Sequence, residues 1–244
     1  MGFDTRELNR RGAIALAAAM GTGVLAIRLG TTAAVAEEKK EGEAAEDVSA
    51  TEDLMREHGV LRRTLNVFSE LASRLNSGKT GIDLPALADA AKLFRDFGED
   101  YHEQMLEETY VFPEVYKAGG PNEKLVEALL AQHLRGREIT DYIYRLTSQA
   151  KLAGHEEALA KALAALARMY NAHSAWEDTV IFPAWKAMQS KARLAELADK
   201  FEDIEHEKFG KDGFEDAVAR ISRIEQAFGV HDLTVFTAPI PPAR

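Results

Sequence analysis

The sequence predicts an all-α protein, an antiparallel up-down four-helix bundle followed by two additional C-terminal helices. Three observations carry that expectation. Strong helix formers (Ala, Leu, Glu, Lys and Arg) dominate a chain with only 7 prolines. Apolar residues recur at alternating steps of three and four along successive segments, and no run alternates with period two for long enough to make a sheet. Short breaks marked by Gly and Pro separate the segments, as between antiparallel neighbours.

The chain opens on an address. "NRRGAIALAAAMGTGVLAIRLGTTAAVAEE" has a basic start, an apolar stretch from Ala13 to Ile27, and small residues ending Ala34-Val35-Ala36. This pattern predicts an export signal peptide over residues 1–36, cleaved after Ala36. Arg10-Arg11, the Gly-broken core and Arg28 resemble the twin-arginine type, although Gly12-Ala13-Ile14 dilutes its usual bulky apolar pair. That type resembles a route for proteins that fold, often with a cofactor, before crossing. The expected location is therefore periplasmic or extracellular. The segment is short and rich in Ala and Gly, so no stable membrane insertion is expected after cleavage. Residues 37–50, "EEKKEGEAAEDVSA", are charged and lack aromatics, which predicts a disordered linker.

The first helix is expected from near Thr51 to Asn76, capped by Ser49 or Thr51 and ended by Gly78. Its apolar seam reads Leu54, Leu61, Leu65, Phe68, Ala72, Leu75, and the seam position skipped between the first two is His58. A second helix from near Pro85 to the Pro113 region, continuing to Ala118, carries Leu87, Ala91, Phe94 and Gly98, then His102 and Met105. A third, from about Asn122 to Ala150, carries Val126, Leu129 and Leu130, then His133, Thr140 and Tyr144. The fourth, after Gly154, carries Leu159, Ala162, Leu166 and Met169, then His173 and Glu177. Each of the four thus sets a histidine on its inward face. They fill residues 51–190. Two more helices, Lys191–Phe209 and Gly213–Phe228, each end at a glycine and cover the bundle from residues 191–229; residues 230–244 form an irregular tail.

Several function classes fall away on composition. A formal net charge of −10 weighs against nucleic acid or anionic lipid as partner. With 0 cysteines, the chain has no disulfide, thiolate nucleophile, iron–sulfur cluster or Cys-based zinc site. Any metal must be held by His and carboxylates.

The chain also repeats itself. "EETYVFP" at Glu107–Pro113 returns as "EDTVIFP" at Glu177–Pro183, each with a histidine shortly upstream. One half offers His58, His102 and Glu107; the other offers His133, His173 and Glu177. His173 and Glu177 stand one turn apart on one helix face, where imidazole and carboxylate reach a common centre. Packed antiparallel, the halves bring four imidazoles and two carboxylates to one interior point. Buried carboxylates need compensating charge, which two metal ions supply. Imidazole plus carboxylate without thiolate suits iron or manganese, with zinc also possible. A single core histidine is ordinarily structural, but four on four seams, two with partnered glutamates, argue for ligands.

The ordered set of histidines and glutamates resembles the hemerythrin-like family, the HHE cation-binding domains, over roughly residues 51–190. The resemblance implies a four-helix bundle with two oxo- or hydroxo-bridged non-heme iron ions. It implies His58, His102, His133 and His173 as terminal ligands, two to each iron, with Glu107 and Glu177 bridging. The oxygen carriers of the family have a fifth histidine one turn after the one on the third helix; here that position is Arg137. Two six-coordinate irons offer about a dozen positions, of which about ten are then filled. That favours binding and reaction with a small oxidant (O2, peroxide or NO) over simple transport; a non-catalytic binding, sensing or storage module is the alternative. A ferritin-like carboxylate site fits less well, since its Glu-x-x-His order is reversed here.

Local details carry their own expectations. His102 precedes Glu107 by five, which in a regular helix turns the two about 140° apart. Either a π-bulge restores the facing, or Glu103 replaces His102 as ligand. Pro113 and Pro183 are expected to break or kink their helices, freeing the carbonyls of Thr109 and Thr179. His206 shares a face with Asp199, Glu202 and Asp203, which predicts solvent exposure. Met105, Met169, Tyr170 and Trp176 are expected to pack, or to wall a ligand pocket.

Overall fold

A computed structural model describes residues 48–79, 81–149, 152–210 and 212–242. The expected signal peptide and most of the charged linker lie outside the described residues. Among the described residues all regular structure is helical. None of their helices is long and apolar enough to cross a membrane.

Helix α1 (Ala50–Asn76) is capped by the Ser49 hydroxyl, which accepts from the Glu52 amide, and Glu52 and Asp53 complement its first turn. Helix α2 (Leu84–Leu93) starts on the Asp83 side chain with proline in its first turn. It runs without interruption into a π-helical segment (Phe94–Val111) and then α3 (Phe112–Ala118). Gly119 and Gly120, both at positive φ, turn the chain into α4 (Pro121–Ser148). Helix α5 (Glu156–Trp176) likewise passes through a shorter π-helical segment (Glu177–Ile181) into α6 (Phe182–Met188). Helices α7 (Lys191–Phe209) and α8 (Gly213–Phe228) have the bounds the sequence suggests, each closed by a left-handed glycine.

The two prolines do not end their helices. The Phe112 amide bonds back to the Glu107 carbonyl, and the Phe182 amide to the Glu177 carbonyl, five residues in each case. The wider turn is made first, and Pro113 and Pro183 then fall in the first turn of a fresh α segment, where a missing N–H costs least. The expected π distortion at His102 is present as part of the long first segment. A second one at Glu177 was not foreseen.

The inward faces also drift from the simplest reading. On α4 the seam passes from Thr140 to the buried Ile143 and Thr147, leaving Tyr144 exposed, so a step of three follows Thr140 where the sequence suggests a step of four. Trp176 is exposed as well, so it walls no interior pocket. Helix α1 packs along α5, α2 along α4, and α4 along α5, while α8 covers α1 and α2 and α7 covers α1. Phe68, Phe94, Phe97, Phe112, Phe182, Phe201 and Trp185 are fully buried between these helices. Each such ring contributes roughly 1.5–3 kcal/mol. Arg220 to Asp89 and Arg63 to Glu225 pin α8 to α2 and α1.

Candidate metal centre

The four seam histidines and the two repeated glutamates meet in the interior, all six at most 3% exposed. His58 comes from α1, His102 and Glu107 from the first π-helical segment, His133 from α4, His173 from α5 and Glu177 from the second π-helical segment. The His58 and His102 ring centroids are 4.7 Å apart, and those of His133 and His173 are 4.8 Å apart. His102 Nε2 lies 3.2 Å from Glu107 Oε1, and His133 Nε2 lies 3.5 Å from Glu107 Oε2. His173 Nε2 lies 2.9 Å from Glu177 Oε1, and His58 Nε2 lies 3.4 Å from Glu177 Oε2. Each glutamate therefore turns one oxygen to each histidine pair.

The tautomers follow from what holds the rings. His58 Nδ1 donates to Asp178 at 2.7 Å, His102 Nδ1 to Glu57 at 2.7 Å, His133 Nδ1 to Glu108 at 2.8 Å, and His173 Nδ1 to the Gln132 amide oxygen at 2.9 Å. With the proton spent outward on Nδ1, every neutral ring presents a bare Nε2 lone pair inward. Two such lone pairs, on His133 and His173, face each other across 3.0 Å. Both oxygens of Glu107, both of Glu177, and His102 Nε2 have no hydrogen-bond donor although buried. Buried acceptors cost free energy unless something positive meets them. A pocket of inward lone pairs and carboxylate oxygens, every outer nitrogen oriented by an acceptor, fits a cation. Glu107, His133, His173 and Glu177 can each bring one ligand atom within 4.8 Å of the others, and so can His58, His102 and Glu107.

The carboxylates around the rings also act on their protonation. Burial alone pulls the His58 and His102 imidazoles down; Asp178 and Glu177 outweigh it at His58, and Glu107 and Glu57 at His102, leaving both raised, His102 strongly. His133 stays lowered because burial prevails over its hydrogen bond to Glu108. Burial pushes Glu177 up, yet His173 and His58 hold it far below the usual carboxylate range. Burial raises Glu103 well above normal, helped by Glu99 nearby.

Glu103 points elsewhere. Its Oε1 accepts from the Tyr170 hydroxyl at 2.7 Å, and its Oε2 lies 3.2 Å from the Arg137 guanidinium. The third carboxylate–imidazole group, Glu103, Glu108 and His133, uses the outer Nδ1 and already holds Arg137 between its acids. His206 is exposed on α7. The residues missed by sequence reasoning are the outer acceptors Glu57, Glu108, Gln132 and Asp178, and the two arginines paired with Asp178 and Glu108, Arg62 and Arg137. A signal for them existed, since the repeat extends to Glu57-His58…Arg62 against Gln132-His133…Arg137.

Two aromatic rings complete the repeat. Phe182 stacks on His58 at 5.4 Å and Phe112 on His133 at 5.3 Å. The Phe-Pro signature thus has a packing role at the rings. Beside the histidines lies a cavity of about 10 Å³, lined by His58, Leu61, Arg62, His102, Tyr170 and His173 among others. That is room for one water-sized molecule.

Residues 49–185 match the Hemerythrin HHE cation binding domain family. An uncharacterized protein of Mycobacterium bovis and one of Mycobacterium tuberculosis are each 42% identical to the chain over 192 residues, covering 78% of this chain and 74% of theirs. No solved structure matches the chain.

Proposed function

Because the chain belongs to the hemerythrin HHE cation-binding domain family, we propose that it is a non-heme di-iron protein that binds a small oxidant (O2, peroxide or NO) and reacts with it. The observation that carries this reading is the set of four inward Nε2 lone pairs facing four carboxylate oxygens that lack donors. His58 and His102 would hold one ion, His133 and His173 the other, with Glu107 and Glu177 spanning both. Mixed imidazole and carboxylate ligation without sulfur suits iron. Bound there, an iron pair supplies electrons to an oxidant. The chain's own residues orient the ligands and compensate the charge, and the adjoining cavity has room for one water-sized molecule. A cavity of that size has no room for a mineral core, which weighs against storage.

The helices carrying the ligands are read as an antiparallel up-down four-helix bundle. Residues 1–36 are read as a twin-arginine-type signal that places the loaded protein in the periplasm or outside the cell; the sequence pattern supports this.

Elemental analysis and an optical spectrum of the purified full chain test the reading, followed by anaerobic titration of the reduced protein with O2, peroxide and NO. Two irons per chain with near-ultraviolet oxo-to-iron bands, and oxidation by one of the three, are expected. Protein that stays iron-free after anaerobic loading with Fe(II) would overturn the di-iron reading, and a fully reversible oxygenated form would overturn the reactive one.

A further inference from the structure

Each half of the centre contains one arginine whose position is the same and whose partners are the same by register. Arg62 stands four residues after His58 on α1, and Arg137 four residues after His133 on α4, so each shares a helix face with its histidine. The Arg62 Nε donates to Ser174 at 3.2 Å and its Nη2 pairs with Asp178. The Arg137 Nη2 reaches Glu103 at 3.2 Å, Glu108 at 2.6 Å and the Glu99 carbonyl at 3.3 Å. Ser174 and Asp178 are the residues immediately after His173 and Glu177. Glu103 and Glu108 are the residues immediately after His102 and Glu107. Asp178 and Glu108 are in turn the acceptors for His58 Nδ1 and His133 Nδ1.

We propose that Arg62 and Arg137 are paired clamps, each gripping the residues that follow two ligands on the facing helix and, through the shared carboxylate, orienting a third ligand on its own. One guanidinium thus fixes the relative placement of three ligand side chains. At Arg62 the forked geometry matters, since Nε and Nη2 reach Ser174 and Asp178 in set directions that an ammonium cannot reproduce, whereas the Arg137 contacts all leave from Nη2. Both arginines are therefore positioning residues. The inference rests on reading the centre as an iron site.

The test is anaerobic Fe(II) titration of the full chain and its variants Arg62→Gln, Arg137→Gln, Arg62→Lys and Arg137→Lys, beside thermal unfolding of each without iron. The expected result is that either glutamine variant weakens one iron position about 10–100-fold and splits the titration into two steps. Arg62→Lys should recover only part of the loss and Arg137→Lys more of it, and iron-free melting should move little. Asp178→Asn should reproduce the Arg62→Gln titration, since it removes the same link. If the glutamine variants melt lower without iron yet titrate like wild type, the arginines are merely structural and the inference is overturned. Full recovery by Arg62→Lys would overturn the fork argument. A wild-type chain that takes up no iron overturns the iron reading and this inference together; a wild-type chain that binds iron, matched by both glutamine variants, overturns this inference alone.

Discussion

The two halves of the centre share their ligands but not their surroundings. Behind His102 stand acids: Glu57 accepts from its Nδ1, Glu103 follows it, and Glu99 precedes it by three. At the corresponding places around His173 stand Gln132, Ser174 and Tyr170. The neutral half donates to the acidic one, since the Tyr170 hydroxyl bonds Glu103. A carboxylate acceptor makes an imidazole a stronger donor to metal than an amide acceptor does. The difference teaches that a repeated fold can keep two ligand sets alike while setting their electronics apart. It predicts two inequivalent metal positions, the one beside His102 better matched to the higher oxidation state.

The largest effects should ignore the asymmetry. Glu107→Gln and Glu177→Gln each remove a carboxylate shared by both histidine pairs. Each should weaken metal binding by roughly a thousandfold, the cost of leaving one side of a buried charge set uncompensated. Iron content after anaerobic loading measures it. A variant that keeps one tight iron would show that its glutamate serves a single position, and the shared role would fail.

Next comes a pH effect confined to the acidic half. Burial raises Glu99 to about 7, against the hydrogen bond from Thr140 and the charges of Arg95 and Arg137. Below the ordinary carboxylate range the group is protonated in both folded and unfolded chains and contributes nothing. As pH rises from about 4.5 to about 7 the unfolded chain releases its proton and the folded one keeps it, so stability falls. The loss attributable to Glu99 is about 3 kcal/mol. Denaturant unfolding from pH 4 to 8 should show that decline in wild type and its removal in Glu99→Gln. Parallel curves for the two proteins would dismiss the effect.

Much of this was legible in the sequence, and the illegible part has physical causes. The helices and the inward histidines were readable because burial imposes a 3.6-residue period on side-chain polarity. Phe209, Phe228 and their following glycines announced where α7 and α8 stop. The π-helical course through Glu177 was hidden, because His173 and Glu177 are spaced as in a regular helix and the distortion begins only at Glu177. Pro183 looked like a stop for the same reason. The outer acceptors were hidden differently. Glu57, Gln132 and Asp178 carry no periodic signal of their own, and nothing in the sequence marks them as acceptors until the neighbouring helix is known to cover them. Arg137 was seen only as a missing histidine, when its partners Glu103 and Glu108 make it a cation among acids.

Exchanging the acceptors behind the two rings addresses the asymmetry directly. Glu57→Gln makes the first half resemble the second, and Gln132→Glu does the reverse. Outer-acceptor changes of this kind alter metal affinity by about 10–100-fold. The first should weaken the position beside His102 and raise its reduction potential. The second should strengthen the position beside His173 and lower its potential. Fe(II) titration with potentiometry reads both, and the double exchange should return a wild-type separation with the positions reversed. Glu57 also accepts from the Tyr101 hydroxyl at 3.0 Å, so Tyr101→Phe is the control for that second bond. Shifts of the same sign in both single variants would sink the account.

The smallest effects concern how tightly each half is packed around its ring. Three residues after His133, Gly136 faces Tyr170, and a methyl group there would sit 2.0 Å from the hydroxyl and 2.7 Å from ring carbons. Three residues after His58 stands Leu61, and here the small partner is on the other helix, since a methyl at Gly98 would meet Leu61 Cδ2 at 2.8 Å. The large and small members have traded helices between the halves, but the large members differ in what they can do. Tyr170 is buried, rigid and bonded to Glu103, so Gly136→Ala must displace a ring and break that bond, at about 1–3 kcal/mol. Leu61 is met at the end of a rotatable side chain, and alanine gains roughly 0.5–1 kcal/mol over glycine inside a helix. Gly98→Ala should therefore change stability by less than about 1 kcal/mol. Urea unfolding of the two variants decides the matter. Equal losses would mean that Leu61 is held as firmly as Tyr170, and that the acidic half owes its shape to packing as rigid as that of its neutral counterpart.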